Sequence, residues 1–305
     1  MMKIVFMGTP DYATEIFKEL VNNKDFEVSL LVTQPDKPVG RKQVLTPPHI
    51  KNYVLENNLN IKIFQPITLK NSESYEYISS FSPDFIVVAA YGQILPKNIL
   101  DIAPCINLHA SLLPNYRGAS PIQSSLLEKD KFAGVTSMLM EEGLDTGDML
   151  GFSYIELNEN ILVGELFEKL SKMAAKLTVK TLNYFENIEP IKQQNSDTSY
   201  AAKIKKSDGL VNFEEENAEE IYRKFRAYTP WPGLFLKSGL KLKDIELIKG
   251  IGKPNTIIAI EENSIVVTCK SGALRLKILQ PTSKKQMSAV DFVRGKRLEI
   301  GNKMA

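Results

Sequence analysis

Two polar side chains, Asn107 and His109, stand where an apolar run ends, and their types and spacing suit hydrogen-bond chemistry. The run Cys105 to His109 predicts a buried strand, and alternate side chains of a strand project to the same face. Open α/β sheets bind ligands at the carboxyl ends of their strands, where this pair would lie. An amide and an imidazole there could both hydrogen-bond one polar atom of a substrate. A lone histidine near a strand end is more often structural, so the pair alone leaves both interpretations open.

A third candidate, Asp145, lies in the acidic run EEGLDTGD at 141–148. Its glycines predict a loop with special backbone demands and not a helix. The run has no EF-hand or other metal-loop register, and Asp148 is equally suited to act as a turn or capping residue. Spacing alone does not show that Asp145 meets His109, so an ordinary acidic turn remains the alternative.

The composition gives little support to a metal site or a membrane segment. With Cys105 and Cys269 in no CxxC motif and only two histidines, a four-ligand Cys/His zinc site would need every one of these residues. Two cysteines without a disulfide framework suit a reducing cytoplasm. The longest apolar run, 85–91, has seven residues, far fewer than the ~20 of a membrane span. We therefore expect a soluble cytoplasmic protein that needs no metal and no membrane partner.

Strand and helix patterns alternate over the first part of the chain. Predicted strands lie at 3–7, 28–33, 61–64, 85–91, 105–109, 135–140 and 152–157, and predicted helices lie near 13–21, 50–54, 119–127 and 164–184. The run 85–91 is apolar on both faces, as in the centre of a sheet covered by helices. The alternation predicts an open, mostly parallel α/β sheet.

The pattern changes after residue 189. Residues 190–202 are polar and without periodicity, which predicts a linker between a first domain at 1–189 and a second at 203–305. After a predicted helix at 218–228 come short strand-like segments separated by turns, at 234–236, 245–248, 257–260, 265–268 and 273–279. Several short strands with turns predict a small β-barrel.

The charge is divided unevenly between these parts. The whole chain has 38 Lys and Arg against 36 Asp and Glu. Residues 1–202 carry 18 basic against 24 acidic side chains, a net charge of −6, and residues 203–305 carry 20 against 12, a net charge of +8. The second domain is therefore a basic module, whose lysines either keep a barrel surface soluble or bind a polyanion.

Eight motifs, taken together, resemble the methionyl-tRNA formyltransferases, a family that uses 10-formyltetrahydrofolate. Five are MGTPDYA at 7–13, VTQPDKPVGRKQVLTPP at 32–48, VVAAYGQILP at 87–96, INLHASLLPNYRGASPIQ at 106–123 and EEGLDTGDML at 141–150. Three more are RAYTPWPG at 226–233, ALRLKILQP at 273–281 and KKQMSAVDFVRGKRL at 284–298. They run in register over nearly the whole chain, and the specificity comes from the set.

The resemblance implies a Rossmann-like formyltransferase domain followed by an OB-fold-like domain that binds tRNA. The reaction would move a formyl group from 10-formyltetrahydrofolate to the α-amino group of methionyl initiator tRNA. Asn107 and a protonated His109 would donate hydrogen bonds to the oxyanion that forms. Asp145 would keep His109 cationic, and it could also relay the proton from the amine to the leaving N10. Whether Asp145 is the base or only orients His109 stays open.

The resemblance also implies binding residues. The folate would be lined by Gln93, Ile94, Leu95, Ser111, Leu112, Leu113 and Pro114, although core packing is an equal alternative for each of the apolar residues. Arg41 and Lys42, in the polar loop after Pro38, would contact the tRNA acceptor end. Lys205, Lys206, Lys284 and Lys285 of the basic module would contact tRNA phosphates. We expect the protein to act as a monomer.

Four other functions are compatible with parts of the sequence. A glycinamide ribonucleotide formyltransferase would leave residues 203–305 unexplained, and a formyltetrahydrofolate hydrolase would be expected to carry a regulatory domain before the first strand. An RNA-binding protein without activity would not need Asn107, His109 and Asp145 in their motifs. A nicotinamide oxidoreductase is disfavoured because the run GTPD at 8–11 lacks the further glycines of GxGxxG.

Overall fold

The computed structural model describes residues 1–40 and 42–304, and these form two compact units. The first unit comprises residues 1–121, 132–156 and 166–201, and the second comprises 122–131, 157–165 and 202–305. The polar stretch up to residue 201 therefore belongs to the first unit. Within the described part of the chain, no helix combines the length and the hydropathy that a bilayer span needs.

A seven-stranded sheet is the centre of the first unit. The strands in this part of the chain are β1 (Met2–Gly8), β2 (Phe26–Val32), β3 (Lys37–Val39), β4 (Val44–Thr46), β5 (Lys62–Phe64), β6 (Phe85–Ala89), β7 (Cys105–His109), β8 (Arg117–Gly118), β9 (Phe132–Leu139), β10 (Met149–Glu156) and β11 (Tyr200–Ala201). The helices are α1 (Asp11–Asn22), α2 (His49–Glu56), α3 (Ser72–Ser79), α4 (Lys97–Leu100), α5 (Pro121–Leu127) and α6 (Val163–Asn183).

The order of the seven strands is β10-β9-β7-β6-β1-β2-β5. Strands β1, β2, β5, β6 and β7 pair in parallel, whereas β9 and β10 run antiparallel at one edge. The predicted mostly parallel α/β sheet is therefore confirmed. Strand β7 is an interior strand, because it pairs with β6 on one side and β9 on the other. Side chains near its carboxyl end are therefore flanked by a neighbouring strand on each side.

Successive side chains of β1 point to opposite faces of the sheet, and helices pack on both faces. Val5 and Met7 belong to a core that includes Ile78 of α3, whereas Phe6 packs its ring against Phe17 of α1, with 5.4 Å between the ring centroids. All these side chains are essentially inaccessible to solvent. Burial of such apolar residues is the main stabilising contribution to the sheet.

The segment after Pro38 departs from the predicted loop. Strands β3 and β4 form an antiparallel hairpin in which Lys37 pairs with Thr46 and Val39 pairs with Val44. The side chains of Val39 and Val44 are more than half exposed, so no buried apolar face marks these strands in the sequence. Arg41, one of the predicted tRNA contacts, lies outside the described residues.

The second unit has its own antiparallel sheet. Its strands are β12 (Leu234–Phe235), β13 (Lys241–Ile248), β14 (Ile257–Ile260), β15 (Ile265–Thr268), β16 (Ala273–Gln280) and β17 (Met287–Ser288), and its later helices are α7 (Ala218–Tyr228) and α8 (Ala289–Lys296). The order is β12-β13-β16-β15-β14, with β17 also paired to β16. Among the described residues β12 and β14 do not pair, so the antiparallel sheet is confirmed but it is open, and the expected barrel is not closed.

Candidate active site

Asn107 and His109 lie on β7, an interior strand of the sheet, near its carboxyl end. Asn107 lies opposite Val88 of β6 and Met138 of β9. Asn107 is 8% exposed and His109 is 6% exposed. Polar side chains buried to this extent are normally held by specific hydrogen bonds. Their partners therefore show what the site is built to do.

The loop that joins β9 to β10 brings Asp145 to both side chains. Asn107 donates from Nδ2 to Asp145 Oδ1 over 3.3 Å. His109 Nδ1 lies 3.6 Å from Asp145 Oδ2. An amide, an imidazole and a carboxylate thus converge from two segments of the chain, and this proximity is what spacing alone did not establish.

The orientation of the His109 ring follows from a backbone carbonyl. His109 Nε2 lies 2.9 Å from the carbonyl oxygen of Tyr116. A carbonyl oxygen only accepts, so Nε2 must carry a hydrogen. Nδ1 is then the ring nitrogen that faces Asp145, and it carries a hydrogen only when the ring is cationic.

The carboxylate of Asp145 is held by donors on both oxygens. Besides the Asn107 amide at Oδ1, the backbone N–H of Gly118 donates to Oδ2 over 2.8 Å. Gly118 has φ +117°, and a Cβ there would lie 2.7 Å from the carbonyl oxygen of Ala201. Only glycine fits this backbone position without strain. The loop from 116 to 118 therefore reaches Asp145 because residue 118 lacks a side chain.

Neither cysteine is placed to act as a nucleophile. Cys105 and Cys269 are both buried free thiols. Burial raises the pKa of each thiol to about 12, and the carboxylate of Asp101 adds to the effect at Cys105, as that of Glu216 does at Cys269. Since the thiolate is the reactive form, covalent catalysis by cysteine is disfavoured.

We expect both thiols of the native protein to be unreactive towards an uncharged disulfide reagent at pH 8, because burial and the raised pKa both suppress the thiolate. Titration in denaturant should then release two equivalents of reagent product. Rapid labelling of one thiol in the native state would contradict the buried placement of Cys105 or Cys269.

An open cavity of about 470 Å³ lies at the opposite end of the first unit's sheet. It is lined by Met2, Phe85 and Pro104, which stand at or just before the starts of β1, β6 and β7. In the described residues, no group of three or more His, Cys, Asp or Glu side chains is positioned to hold a metal ion. The polar cluster around His109 is therefore the site to which a chemical role can be assigned.

Comparison with known proteins identifies the family to which this chain belongs. Residues 2–182 match the formyl transferase family, and residues 203–297 match the formyl transferase C-terminal domain. The chain belongs to the formyl transferase family. This formyl transferase is 55% identical over 303 residues to a methionyl-tRNA formyltransferase from a Nitratiruptor species, covering 99% of each chain. It is 53% identical over 304 residues to the enzyme of that name from Campylobacter curvus, covering 100% of each.

Solved structures share the fold of this formyl transferase at lower identity. The N-formyltransferase from Helicobacter canadensis, in complex with folinic acid and dTDP-3-aminofucose, superposes with a TM-score of 0.67 at 20% identity over 91% of this chain and 99% of that one. HypX from Aquifex aeolicus, in complex with tetrahydrofolic acid, gives 0.63 at 14% identity over 96% and 47%. At these identities the likeness concerns the fold alone.

The seven residues predicted to line a folate site of this formyl transferase lie in two segments, one after β6 and one after β7, and neighbouring parallel strands end at the same sheet edge. In the first segment, Leu95 is part of the hydrophobic core, Ile94 is 74% exposed, and Gln93 donates to the carbonyl oxygen of Pro66 over 3.2 Å. Core packing thus explains Leu95 but not Ile94, whose apolar side chain is free to contact a ligand.

The second segment is tied to β9. Ser111 and Leu113 are buried, whereas Leu112 and Pro114 are partly exposed. Thr136 links the segment to β9, since its hydroxyl donates to the Ser111 carbonyl over 2.7 Å and accepts from the Leu113 N–H over 3.0 Å. Leu112 and Pro114 are therefore the residues of this segment that remain accessible to a ligand.

The predicted tRNA contacts that the structure describes are all exposed lysines. Lys42 lies in the turn between β3 and β4, Lys205 and Lys206 lie at the short helix Lys206–Gly209, and Lys284 and Lys285 lie between β16 and β17. None of the five forms an ion pair within residues 1–40 and 42–304. Other cations of the second unit are paired, including Arg275 with Glu261 and Lys303 with Glu214.

The sequence did not point to every residue that builds the site. Gly118 acts through its backbone N–H, and Tyr116 acts through its carbonyl. The residue type at position 116 therefore gives no signal. At position 118 the glycine itself is the one available signal. Gln193, which contacts the Asp145 loop, lies in the stretch that was predicted to be a linker.

Proposed function

We propose that this chain transfers the formyl group of 10-formyltetrahydrofolate to the α-amino group of methionyl initiator tRNA, giving N-formylmethionyl-tRNA and tetrahydrofolate. The observation that carries this proposal is the meeting of Asn107, His109 and Asp145 at one sheet edge. Near-full-length identity of 55% to a methionyl-tRNA formyltransferase supports this choice of acceptor.

Asn107 and His109 are the proposed oxyanion donors. When the amine attacks the formyl carbon, a C–N bond forms and the carbonyl oxygen becomes negatively charged. The Asn107 amide has a second hydrogen besides the one given to Asp145. His109 offers Nδ1–H in its cationic form, because Nε2–H is already given to the Tyr116 carbonyl. Two donors aimed at one developing charge are the usual source of catalysis in acyl transfer.

Asp145 has two proposed tasks. Its carboxylate lies 3.6 Å from Nδ1 of His109 and so orients the ring that donates to the oxyanion. It also accepts the surplus proton of the attacking amine, directly or through water, and a proton is returned to N10 as the bond from the formyl carbon to N10 breaks. The protons then balance, and the products are a formamide and tetrahydrofolate.

The folate co-substrate fits the sheet edge on chemical grounds. A reduced pteridine with an aminobenzoyl group offers both ring faces and hydrogen-bonding groups. We place it between Gln93, Ile94 and Leu95 on one side and Ser111, Leu112, Leu113 and Pro114 on the other. Exposed Ile94 and partly exposed Leu112 and Pro114 supply apolar contacts, and partly exposed Gln93 supplies a polar one. We propose no metal in this reaction, since oxyanion stabilisation and proton relay account for its chemistry.

We propose that residues 1–189 form the catalytic domain, that 190–202 connect it, and that 203–305 bind tRNA. The net charge of +8 over residues 203–305 suits a polyanion. Lys205, Lys206, Lys284 and Lys285 are exposed and without a carboxylate partner among the described residues, so they are available to phosphates. Arg41 and Lys42 are assigned to the acceptor end. Because one chain supplies the whole catalytic cluster, we propose a monomer acting in the cytoplasm.

Replacing Lys205 and Lys206, or Lys284 and Lys285, by glutamine should raise the KM for tRNA and leave the KM for folate unchanged. The slope of log affinity against log salt concentration is negative, and each phosphate that is no longer neutralised should reduce its magnitude by about 0.7–0.9. The matched control is Lys277→Gln with Lys303→Gln, since these cations are already paired with Glu246 and Glu214. Equal salt slopes in the test and control pairs would contradict the assignment.

The chain offers a direct signal for this binding. Trp231 is the only tryptophan and is 58% exposed. It lies two residues from Gly233, whose carbonyl oxygen would be 2.1 Å from a Cβ on Gly209 at the end of the short helix Lys206–Gly209. RNA bound at Lys205 and Lys206 should therefore change tryptophan emission. The change should weaken in the Lys205/Lys206 pair and persist in the control pair.

The proposed function is tested by incubating the purified protein with charged initiator tRNA and 10-formyltetrahydrofolate. Formation of N-formylmethionine supports it. Absence of product at saturating folate would refute it, and release of formate or formylation of glycinamide ribonucleotide instead would indicate one of the alternative enzymes. Charged elongator methionyl-tRNA serves as the control acceptor.

A further inference from the structure

A single side-chain amide clamps the backbone of the Asp145 loop. Gln193 donates from Nε2 to the carbonyl oxygen of Asp145 over 2.9 Å and to that of Gly147 over 2.7 Å. The two carbonyls flank Thr146, so the amide joins both sides of this turn. The loop is therefore fixed through its backbone and not only through the Asp145 carboxylate.

The guanidinium of Arg117 fixes the orientation of that amide. Arg117 donates to Gln193 Oε1 from Nε over 3.0 Å and from Nη2 over 2.8 Å. Its Nη1 and Nη2 also donate to Asn195 Oδ1, each over 3.3 Å. Since the guanidinium only donates, Oε1 must face it and Nε2 must face the loop carbonyls.

Arg117 is an unusual residue to find here. It is 2% exposed, and within the described chain no carboxylate lies near enough to form an ion pair with it. Burying a charge without an opposite charge is costly unless hydrogen bonds compensate. The amides of Gln193 and Asn195 supply that compensation. These hydrogen bonds therefore allow the guanidinium to be buried at this position.

The two neighbours of Arg117 contact the catalytic candidates directly. The carbonyl of Tyr116 accepts from His109 Nε2, and the N–H of Gly118 donates to Asp145 Oδ2. The contacts of Arg117 and its neighbours thus link the segment 116–118 to both members of the imidazole–carboxylate pair. A shift of this segment would change the distance between His109 and Asp145.

Asp145 also needs support for its backbone. Its φ is +53°, a region that residues other than glycine seldom adopt and that costs about 1–3 kcal/mol unless the surroundings hold it. A hydrogen bond to its own carbonyl from Gln193 is such a restraint. Without it, the loop could relax and carry the carboxylate away from His109.

We propose that Gln193, oriented by Arg117, is a positioning residue that holds the Asp145 carboxylate at the distance from His109 and Asn107 that turnover requires. This inference rests on the proposed function, because it takes Asp145 as a catalytic group. It assigns to Gln193 and Asn195 a task in the active site of the first unit, in a stretch whose composition predicts only a connection.

The decisive variant is Gln193→Glu. It keeps an acceptor for Arg117, so the buried guanidinium stays paired, but it places oxygen against the two loop carbonyls. We expect kcat to fall about 10- to 100-fold, because displacing a reacting group by ~1 Å can cost about 10² in rate. The KM values for folate and tRNA should stay near those of the native protein. Gln193→Met should lower kcat similarly, and exposed Gln194→Met is the matched control.

A spectroscopic measurement separates positioning from general damage. The chain has only two histidines, His49 and His109, so ¹⁵N-labelled imidazoles can be assigned with a His49→Gln variant. In Gln193→Glu and Gln193→Met, the His109 ring nitrogens should shift and those of His49 should not, and the thermal midpoint of unfolding serves as a check on folding. This readout does not require the proposed acceptor to be correct.

The combination of kcat and the His109 spectrum decides the proposal. A fall in kcat together with shifted His109 resonances in Gln193→Glu supports it. Native kcat with native His109 resonances would overturn it, and so would a loss confined to the yield of folded protein. If the native protein fails to formylate methionyl-tRNA, the function is refuted, while an unchanged His109 spectrum in the variants would separately refute the clamp.

Discussion

Alanine in place of His109 or Asn107 should lower kcat about 10²- to 10³-fold in each case, as expected when one oxyanion donor is removed. Both side chains are buried near the end of β7. Asn107 has a second amide hydrogen besides the one given to Asp145, and His109 offers Nδ1–H when its ring is cationic, since Nε2–H is given to the Tyr116 carbonyl. The KM for tRNA should scarcely change, since neither residue is assigned to the RNA. Steady-state kinetics with both substrates varied would measure the two effects separately.

The other histidine provides the control. His49 is half exposed, and its Nδ1 lies 2.9 Å from the Thr14 hydroxyl, so His49→Gln should leave turnover near the native value. Thermal unfolding must show that His109→Ala and Asn107→Ala remain folded. Near-native kcat in both folded alanine variants would refute the proposed oxyanion site.

Some elements could be predicted to the residue because their signals are local. The strand Cys105–His109 and the helix Ala218–Tyr228 were predicted with the bounds that the structure has. The strand follows Pro104, and its apolar residues are interrupted only by Asn107 before it ends at His109. The helix follows Asn217, whose backbone N–H donates to the Glu220 carboxylate. Caps and apolar runs of this kind act over a few residues, so a single sequence contains them.

Other features depend on contacts that no local pattern contains. The hairpin of β3 and β4 exposes Val39 and Leu45, so no apolar alternation identified it. Short strands with turns suggested a barrel, but closure depends on pairing between the first and last strands, and β12 and β14 do not pair within the described residues. Strand pairing over long separations is decided by tertiary packing and not by propensity.

The residues of the candidate site also fall into two groups, those that a local pattern predicts and those that only the fold brings together. Asn107 and His109 could be predicted to share a face because strand alternation is local. Asp145 could be placed beside them only by a resemblance, since 36 residues separate it from His109. Gln193 and Arg117 are 76 positions apart, and the groups of the Asp145 loop that Gln193 contacts are backbone carbonyls. Backbone acceptors are present at every residue, so the sequence carries no mark of them.

Asp145→Asn should be at least as damaging as removal of the His109 imidazole, with a fall in kcat of about 10³- to 10⁴-fold, as when the carboxylate that orients a catalytic histidine becomes an amide. The native carboxylate accepts from Asn107 at Oδ1 and from the Gly118 N–H at Oδ2. An asparagine amide replaces one of these acceptors by an NH₂ group, so one donor must meet another donor.

Either orientation of the new amide is unfavourable for catalysis. If its NH₂ group faces His109, it donates to Nδ1 and stabilises the neutral ring, which then has no hydrogen to offer the oxyanion, because Nε2–H stays on the Tyr116 carbonyl. If its NH₂ group faces Asn107, the two amides repel and the oxyanion donor is displaced. Asp148→Asn, further along the same loop, removes the same charge without touching His109 and should keep turnover near native. In a folded Asp145→Asn protein, kcat within tenfold of the native value would show that the carboxylate does not relay the proton. Unchanged His109 imidazole resonances would show that it does not orient the ring.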